Sequence, residues 1–364
     1  SHREKPTMPP DEPRLDAPLI ETIRTWIEQG APKDRAQAER MAKERRAARA
    51  KATSAAVDSV LEVLDCEPPA TVLAPIRAAA RGVPVRSLAV APRARFVAVA
   101  GPSQVQLLGL DDLAPRGALE LEFPQVERVR ISADGSALVA VGGRPGRSGS
   151  AVVFDLATGK ELGRFAQQRD TILAADLSPD ADLVAVGGTQ KRTAVYRVAD
   201  ASLAYELRMD DWTTAIAFSP NGRLCAVADR KGNVLVVEAL TGREEHALPP
   251  VAGGVDALAF SPDSKRLAVG GGDRAVRIFR ISDGQQAAAL TAHADRVTAL
   301  AYSASGALTS ADATGLVLTW TDGGRKRAGV GRLREWVYDL AAGREERVFS
   351  VDWAGRVQVL GAAH

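Results

Sequence analysis

Chemistry has few footholds in this chain. Its four histidines, His2, His246, His293 and His364, are scattered over 364 residues, and no two stand at the spacing of a metal-binding pair. There is no Gly-x-Ser-x-Gly elbow to present a nucleophilic serine, and no phosphate-binding loop ending in Gly-Lys-Ser or Gly-Lys-Thr. The glycine-rich run from Gly142 to Gly149 would cradle a phosphate only if it opened a helix, and its flanks read as strands, so we expect a flexible hairpin loop. Cys66 and Cys225 form neither a Cys-x-x-Cys pair nor a disulfide framework. A general base needs an oriented partner and a substrate, and the sequence shows neither beside His293. We therefore assign no catalytic residue and no metal site, and expect a binding protein rather than an enzyme.

The residues suited to binding take their meaning from the elements that hold them, and those elements repeat. A small-residue turn after an apolar strand recurs at Ala91-Pro92-Arg93, Ser132-Ala133-Asp134-Gly135, Ser178-Pro179-Asp180, Ser219-Pro220-Asn221-Gly222, Ser261-Pro262-Asp263 and Ser303-Ala304-Ser305-Gly306. Successive starts are 41, 46, 41, 42 and 42 residues apart, the period of four-stranded propeller blades. Each copy alternates large and small apolar residues with period two, as in Leu258-Ala259-Phe260 and Leu267-Ala268-Val269. Asp155-Leu156-Ala157-Thr158-Gly159 and Glu238-Ala239-Leu240-Thr241-Gly242 read as hairpins leading to an outer strand. A degenerate seventh copy runs from Trp336 to Val357 and lacks sequence for a fourth strand. The stretch Thr71 to Ile76 is apolar, and we expect it to supply that strand and close the ring, Pro75 being acceptable on an edge. The fold class is thus mainly β, a seven-bladed β-propeller over residues 69–364 with an N-terminal helical segment.

In these copies the chain resembles the WD-repeat family. The resemblance implies a hydrogen-bonded group of His, Ser, Asp and Trp that stiffens a blade, which falls here on His293, Ser310, Asp312 and Trp320 in the sixth copy. Asp273 holds the turn-aspartate position of the fifth copy. Asp229, Asp312 and Asp352 share an Asp-x-x-Gly turn, and we read all of these aspartates as capping turn amides. Propellers bind through loops that enter the innermost strands. The residues at those places are Gln125, Thr171, Trp212, Arg296 and Trp336, and aromatic and arginine side chains there suit an interface.

Ahead of the repeats the chain is helical in pattern. Asp16 caps a helix whose apolar residues Leu19, Ile20, Ile23, Trp26 and Ile27 recur at helical spacing until Gly30 and Pro32. Residues 34–68 form a helical linker with seven basic and two acidic side chains between Arg35 and Lys51, read as a solvated spacer since no aromatic residue is interleaved. Overall, 47 basic against 45 acidic residues give no field for nucleic acid, and no apolar run is long enough to span a membrane. Residues 1–33, with Met8-Pro9-Pro10 and Trp26-Ile27-Glu28-Gln29-Gly30-Ala31, resemble the C-terminal end of a cytochrome c domain of planctomycete multidomain proteins. That resemblance implies Met8 as an axial ligand of haem c. The sequence has no Cys-x-x-Cys-His, so we expect no cofactor in this chain, a start within the haem domain, and haem c in a full-length extracytoplasmic parent. The functional expectation is a scaffold that binds a protein partner or a neighbouring domain. The alternative is the substrate- or partner-binding part of a haem c electron-transfer or dehydrogenase assembly.

Overall fold

A computed structural model describes residues 85–90, 96–321, 326–343 and 347–360, with backbone alone at 326–330; all belong to the compact unit of residues 52–364. The expected helices of residues 1–33 and 34–68, with Met8, and the expected closing strand at 71–76 lie outside the described residues.

The described residues form seven antiparallel sheets, each a meander whose sequence neighbours are hydrogen-bonded. Six sheets have four strands, and the seventh, at residues 337–360, has three among the described residues. We number the sheets as blades one to seven. Their first strands are Leu88–Val90, Gln125–Ile131, Ile172–Leu177, Thr213–Phe218, Val255–Phe260, Val297–Tyr302 and Val337–Ala342. Each first strand packs on that of the next blade, and the last packs on the first, which closes a ring around a central channel.

Sequence explains this layering. Second strands such as Leu183–Gly188 and Leu224–Asp229 are buried at every residue, because a neighbouring blade covers each face. Fourth strands such as Glu244–Leu248 are mostly exposed and carry polar residues. Seven apolar clusters result, one between each pair of adjacent blades. The one that joins blade seven to blade one contains Leu88, Val97, Val99, Phe349 and Val351.

The recurring serine turn fixes the link from first to second strand. Ser178 Oγ donates to Asp180 at 2.7 Å and accepts from the Leu183 amide at 2.9 Å, and Ser132, Ser219 and Ser261 repeat both bonds. The fourth turn residue is left-handed in each: Gly135, Ala181, Gly222, Ser264 and Gly306 have φ between 56° and 87°. Glycine fills three of these five places at no steric cost.

Candidate protein-interaction face

The blade-six polar group is complete. His293 Nδ1 lies 3.0 Å from Asp312 Oδ2, His293 Nε2 lies 2.7 Å from Ser310 Oγ, and Trp320 Nε1 donates to Ser310 Oγ at 2.7 Å. With a neutral imidazole, Nδ1–H donates to the carboxylate, the serine hydroxyl donates to Nε2, and the indole donates to the serine. The Asp-His-Ser order is that of a nucleophile relay, yet Ser310 and Asp312 are fully buried and His293 is 8% exposed, so no substrate reaches the hydroxyl. Burial pushes the Asp312 carboxyl up, but bonds from Thr314 and His293 outweigh it and hold it below its ordinary range.

The turn aspartates bind backbone. Asp229 accepts the Asn233 amide, Asp312 the Thr314 and Leu316 amides, and Asp352 the Arg356 amide, all within 3.1 Å. Asp273 accepts the Ala275 amide at 3.2 Å and pairs with Arg277 Nε at 2.7 Å. Among the described residues no three His, Cys, Asp or Glu side chains gather as a metal centre. Nor is any helix there long and apolar enough to cross a membrane. Cys225 is buried, and burial pushes its thiol well above the usual range.

The glycine-rich run lies at the second hairpin of blade two, between Ala137–Arg144 and Ser148–Asp155. A Cβ at Gly142 would sit 2.0 Å from the Gln125 carbonyl oxygen, and one at Gly149 would sit 2.0 Å from that of Asp170. These glycines let the entering loops of blades two and three pass close by, which is a packing role.

The five lip residues occupy equivalent places. Gln125 opens the first strand of blade two, and Thr171, Trp212, Arg296 and Trp336 immediately precede those of blades three, four, six and seven. Their surroundings differ. Thr171 is buried, with its hydroxyl enclosed and unpartnered, so it belongs to the wall and offers no contact. Gln125 is half-buried and donates from Nε2 to the Val126 carbonyl at 3.1 Å. Arg296 grips Asp256 of blade five through Nε at 2.8 Å and Nη2 at 2.9 Å.

The two tryptophans remain accessible, each 38% exposed. Arg230 stands over Trp212, its guanidinium carbon 5.0 Å from the ring centroid, in cation–π range. Trp336 begins a row of stacked rings: its centroid is 5.7 Å from that of Tyr338 at an interplanar angle of 13°, and Tyr338 is 5.7 Å from Trp353 at 23°. Trp353 is 51% exposed, and its amide donates to the Trp336 carbonyl at 2.9 Å. The Arg230 amide binds the Trp212 carbonyl in the same way. Trp353 and Arg230 escaped the sequence reading, although each directly follows the aspartate of an Asp-x-x-Gly turn, so the repeat register marks both.

Beneath this rim the first strands are stitched across blades. Thr214 Oγ1 donates to the Val255 carbonyl at 2.5 Å and Thr298 Oγ1 to that of Val337 at 2.6 Å. The Phe218 amide donates to Asp176 at 2.7 Å. The seam that joins blade seven to blades one and two is ionic: Asp339 Oδ2 accepts from Ser87 Oγ at 2.7 Å, Arg130 Nη1 at 2.9 Å and the Leu88 amide at 3.3 Å. Burial opposes ionisation of Asp339, but Arg130 and Arg128 outweigh it and hold the carboxyl below its ordinary range.

Residues 175–253 and 247–305 match the family model described as the anaphase-promoting complex subunit 4 WD40 domain. The match runs from the first strand of blade three into the first turn of blade six. No curated protein matches the chain. Together, the seven-sheet ring and this match support a WD-repeat propeller.

Proposed function

We propose that the propeller is a non-catalytic platform that binds a protein partner through the rim formed by the loops entering its first strands. One observation carries this reading. Among the described residues the three exposed tryptophans, Trp212, Trp336 and Trp353, all stand on those loops or on the turns bonded to them. Large rings held by backbone bonds and stacking desolvate much area at small entropic cost, which is the character of binding hot spots. The family matched by the middle blades is named for a subunit of a complex, in keeping with a scaffold. The test is titration of a verified partner against Trp212→Ala, Trp336→Ala and Trp353→Ala. At least one should weaken binding by about 30-fold, equivalent to about 2 kcal/mol. Leu203→Ala, on an exposed outer strand, should leave it unchanged. Unchanged affinity in all three tryptophan variants would refute the rim.

The redox setting is a second reading, supported by the Met8-Pro9-Pro10 and Trp26-Ile27-x-x-Gly30-Ala31 motifs. There the platform would serve a haem c electron-transfer or dehydrogenase assembly, with Met8 as axial ligand. A Cys-x-x-Cys-His upstream of Ser1 in the parent gene would support it, and an upstream sequence without one would remove it.

A further inference from the structure

The rim is unevenly charged. It comprises the loops that enter the first strands and, at the same end of the sheets, the turns between second and third strands. Over blades two to five these turns expose six bases: Arg144, Arg147, Lys191, Arg230, Lys231 and Arg274. The ion pairs of those turns join Arg192 to Glu206 and Arg277 to Asp273, and involve none of the six. Segments 144–148, 189–192, 229–233 and 272–275, with the entering loops 169–171, 209–212 and 249–254, hold eight basic and five acidic residues, a net +3 that the outside partners Glu206 and Arg277 leave unchanged. The whole chain nets only +2. The rest of the rim, at 85–87, 102–103, 121–124, 291–296, 312–315, 333–336 and 352–356, holds four basic against five acidic residues. The positive charge thus forms an arc over four adjacent blades. Four of the arc's five carboxylates are already engaged: Asp170 by the Gly146 and Thr171 amides, Asp211 by the Trp212 amide, Asp229 by the Asn233 amide and Asp273 by Arg277. Trp212 stands inside the arc. The Lys191 carbonyl accepts the Met209 amide and the Trp212 carbonyl accepts the Arg230 amide, both at 2.9 Å, so turns of blades three and four clasp the loop that bears the ring.

We propose that this arc docks an acidic polypeptide segment, whose carboxylates meet the six bases while an apolar side chain covers Trp212. The inference rests on the rim reading above and adds the chemistry of the partner. A single exposed ion pair contributes little, but several acting on one segment steer its approach and fix its register. A polypeptide fits better than a nucleic acid. Arg230 already covers one face of the Trp212 ring, which leaves less of it for a stacked base. Asp170, Asp210 and Asp211 also stand among the bases. A nucleic-acid strand carries a charge at every phosphate and would meet those acids, whereas the carboxylates of a polypeptide can be spaced to avoid them.

The experiment uses the full chain and a labelled peptide in which glutamates flank a single leucine, with binding read by fluorescence anisotropy. The peptide should bind, and bind more weakly as salt rises, while its lysine counterpart should not bind. Replacing Arg144, Arg147, Lys191, Lys231 and Arg274 together with glutamine should weaken the acidic peptide by about tenfold or more. The same loss of five charges at the other ends of the strands, through glutamine at Lys160, Arg197, Arg223, Arg243 and Lys265, should leave its affinity unchanged. The salt dependence of the wild-type protein stands as a readout even if a variant fails to fold. No binding of the acidic peptide, tighter binding of an oligothymidylate of the same length, or an equal loss in the two variants would overturn the proposal. A verified partner that is weakened by Trp212→Ala or Trp336→Ala but binds the neutralised arc unchanged would also overturn it, and would leave the rim reading standing.

Discussion

Replacing Asp339 with alanine is the sharpest test of how the ring closes. The side chain is 5% exposed and accepts from Ser87 Oγ, Arg130 Nη1 and the Leu88 amide, with Arg128 3.5 Å away. Its removal strands two enclosed guanidiniums and leaves a buried amide unpaired. Breaking a buried ion pair from one side costs about 3–5 kcal/mol, because the remaining charge has nowhere to go. For a domain of this size that corresponds to a fall of about 10 °C in the unfolding midpoint. Asp339→Asn keeps acceptors for Ser87 and Leu88 and should lose less. The double variant Asp339→Ala with Arg130→Met should recover part of the loss, since one stranded charge has gone with its partner. The pH dependence is an independent check. The folded carboxyl titrates below its unfolded value, so its stabilisation is fully present above about pH 4 and disappears as pH falls through the folded value. The gap between wild type and Asp339→Ala should therefore stay constant from pH 8 to pH 5 and close only in stronger acid. A loss under about 1 kcal/mol, or a gap that shrinks between pH 8 and pH 6, would refute the ionic seam.

Two further predictions concern other buried groups. Ser310→Ala leaves the Trp320 indole N–H and His293 Nε2 without their partner, and urea unfolding should show a loss of about 2–4 kcal/mol, larger than for Trp320→Phe; a neutral Ser310→Ala would mean the network does not stiffen blade six. Asp176 behaves oppositely to Asp339, since burial pushes its carboxyl up to about 6 against bonds from Phe218 and Leu177, so the folded state takes up a proton more readily than the unfolded chain and Asp176 weakens the fold as pH rises from about 4 to 6. Asp176→Asn should raise the unfolding midpoint at pH 7.5 and leave it unchanged at pH 4.5, and the reverse order would contradict the assignment.

The blades were legible because their turns are local. Ser178, Asp180 and Leu183 complete their bonds within five residues, and the pattern returns at a nearly constant spacing. The lip positions could also be placed, as residues just before each first strand, but not their surroundings. Arg296 is tied to Asp256, 40 residues earlier, and Thr171 is enclosed by neighbouring loops, neither of which local pattern reveals. The channel cluster went unread altogether, because Ser87 and Arg130 meet Asp339 across 252 and 209 residues and only ring closure joins them. A signal existed in the aligned copies. Four residues before the turn, blades three to six carry Ala174, Ala215, Ala257 and Ala299, while blades two and seven carry Arg128 and Asp339. A charge where four siblings keep a methyl group marks a position released from pure packing.

Blade seven is where the seam and the exposed rings coincide. Tyr338 and Asp339 are consecutive residues of one strand: the first is the middle ring between Trp336 and Trp353, and the second clasps Ser87 and Leu88 of blade one. A partner that covers Trp336 and Trp353 therefore rests on the strand that closes the ring. Any opening of the seam would displace Tyr338 and break the stack, so a partner that binds only the intact stack adds its binding energy to the cost of opening. The rim tryptophan of blade four lacks this linkage, because Trp212 leads into a strand whose neighbours are held by Thr214 and Asp176 away from the seam. Binding over blade seven should thus slow amide exchange at Leu88 and along Val337–Ala342, and binding over blade four should not.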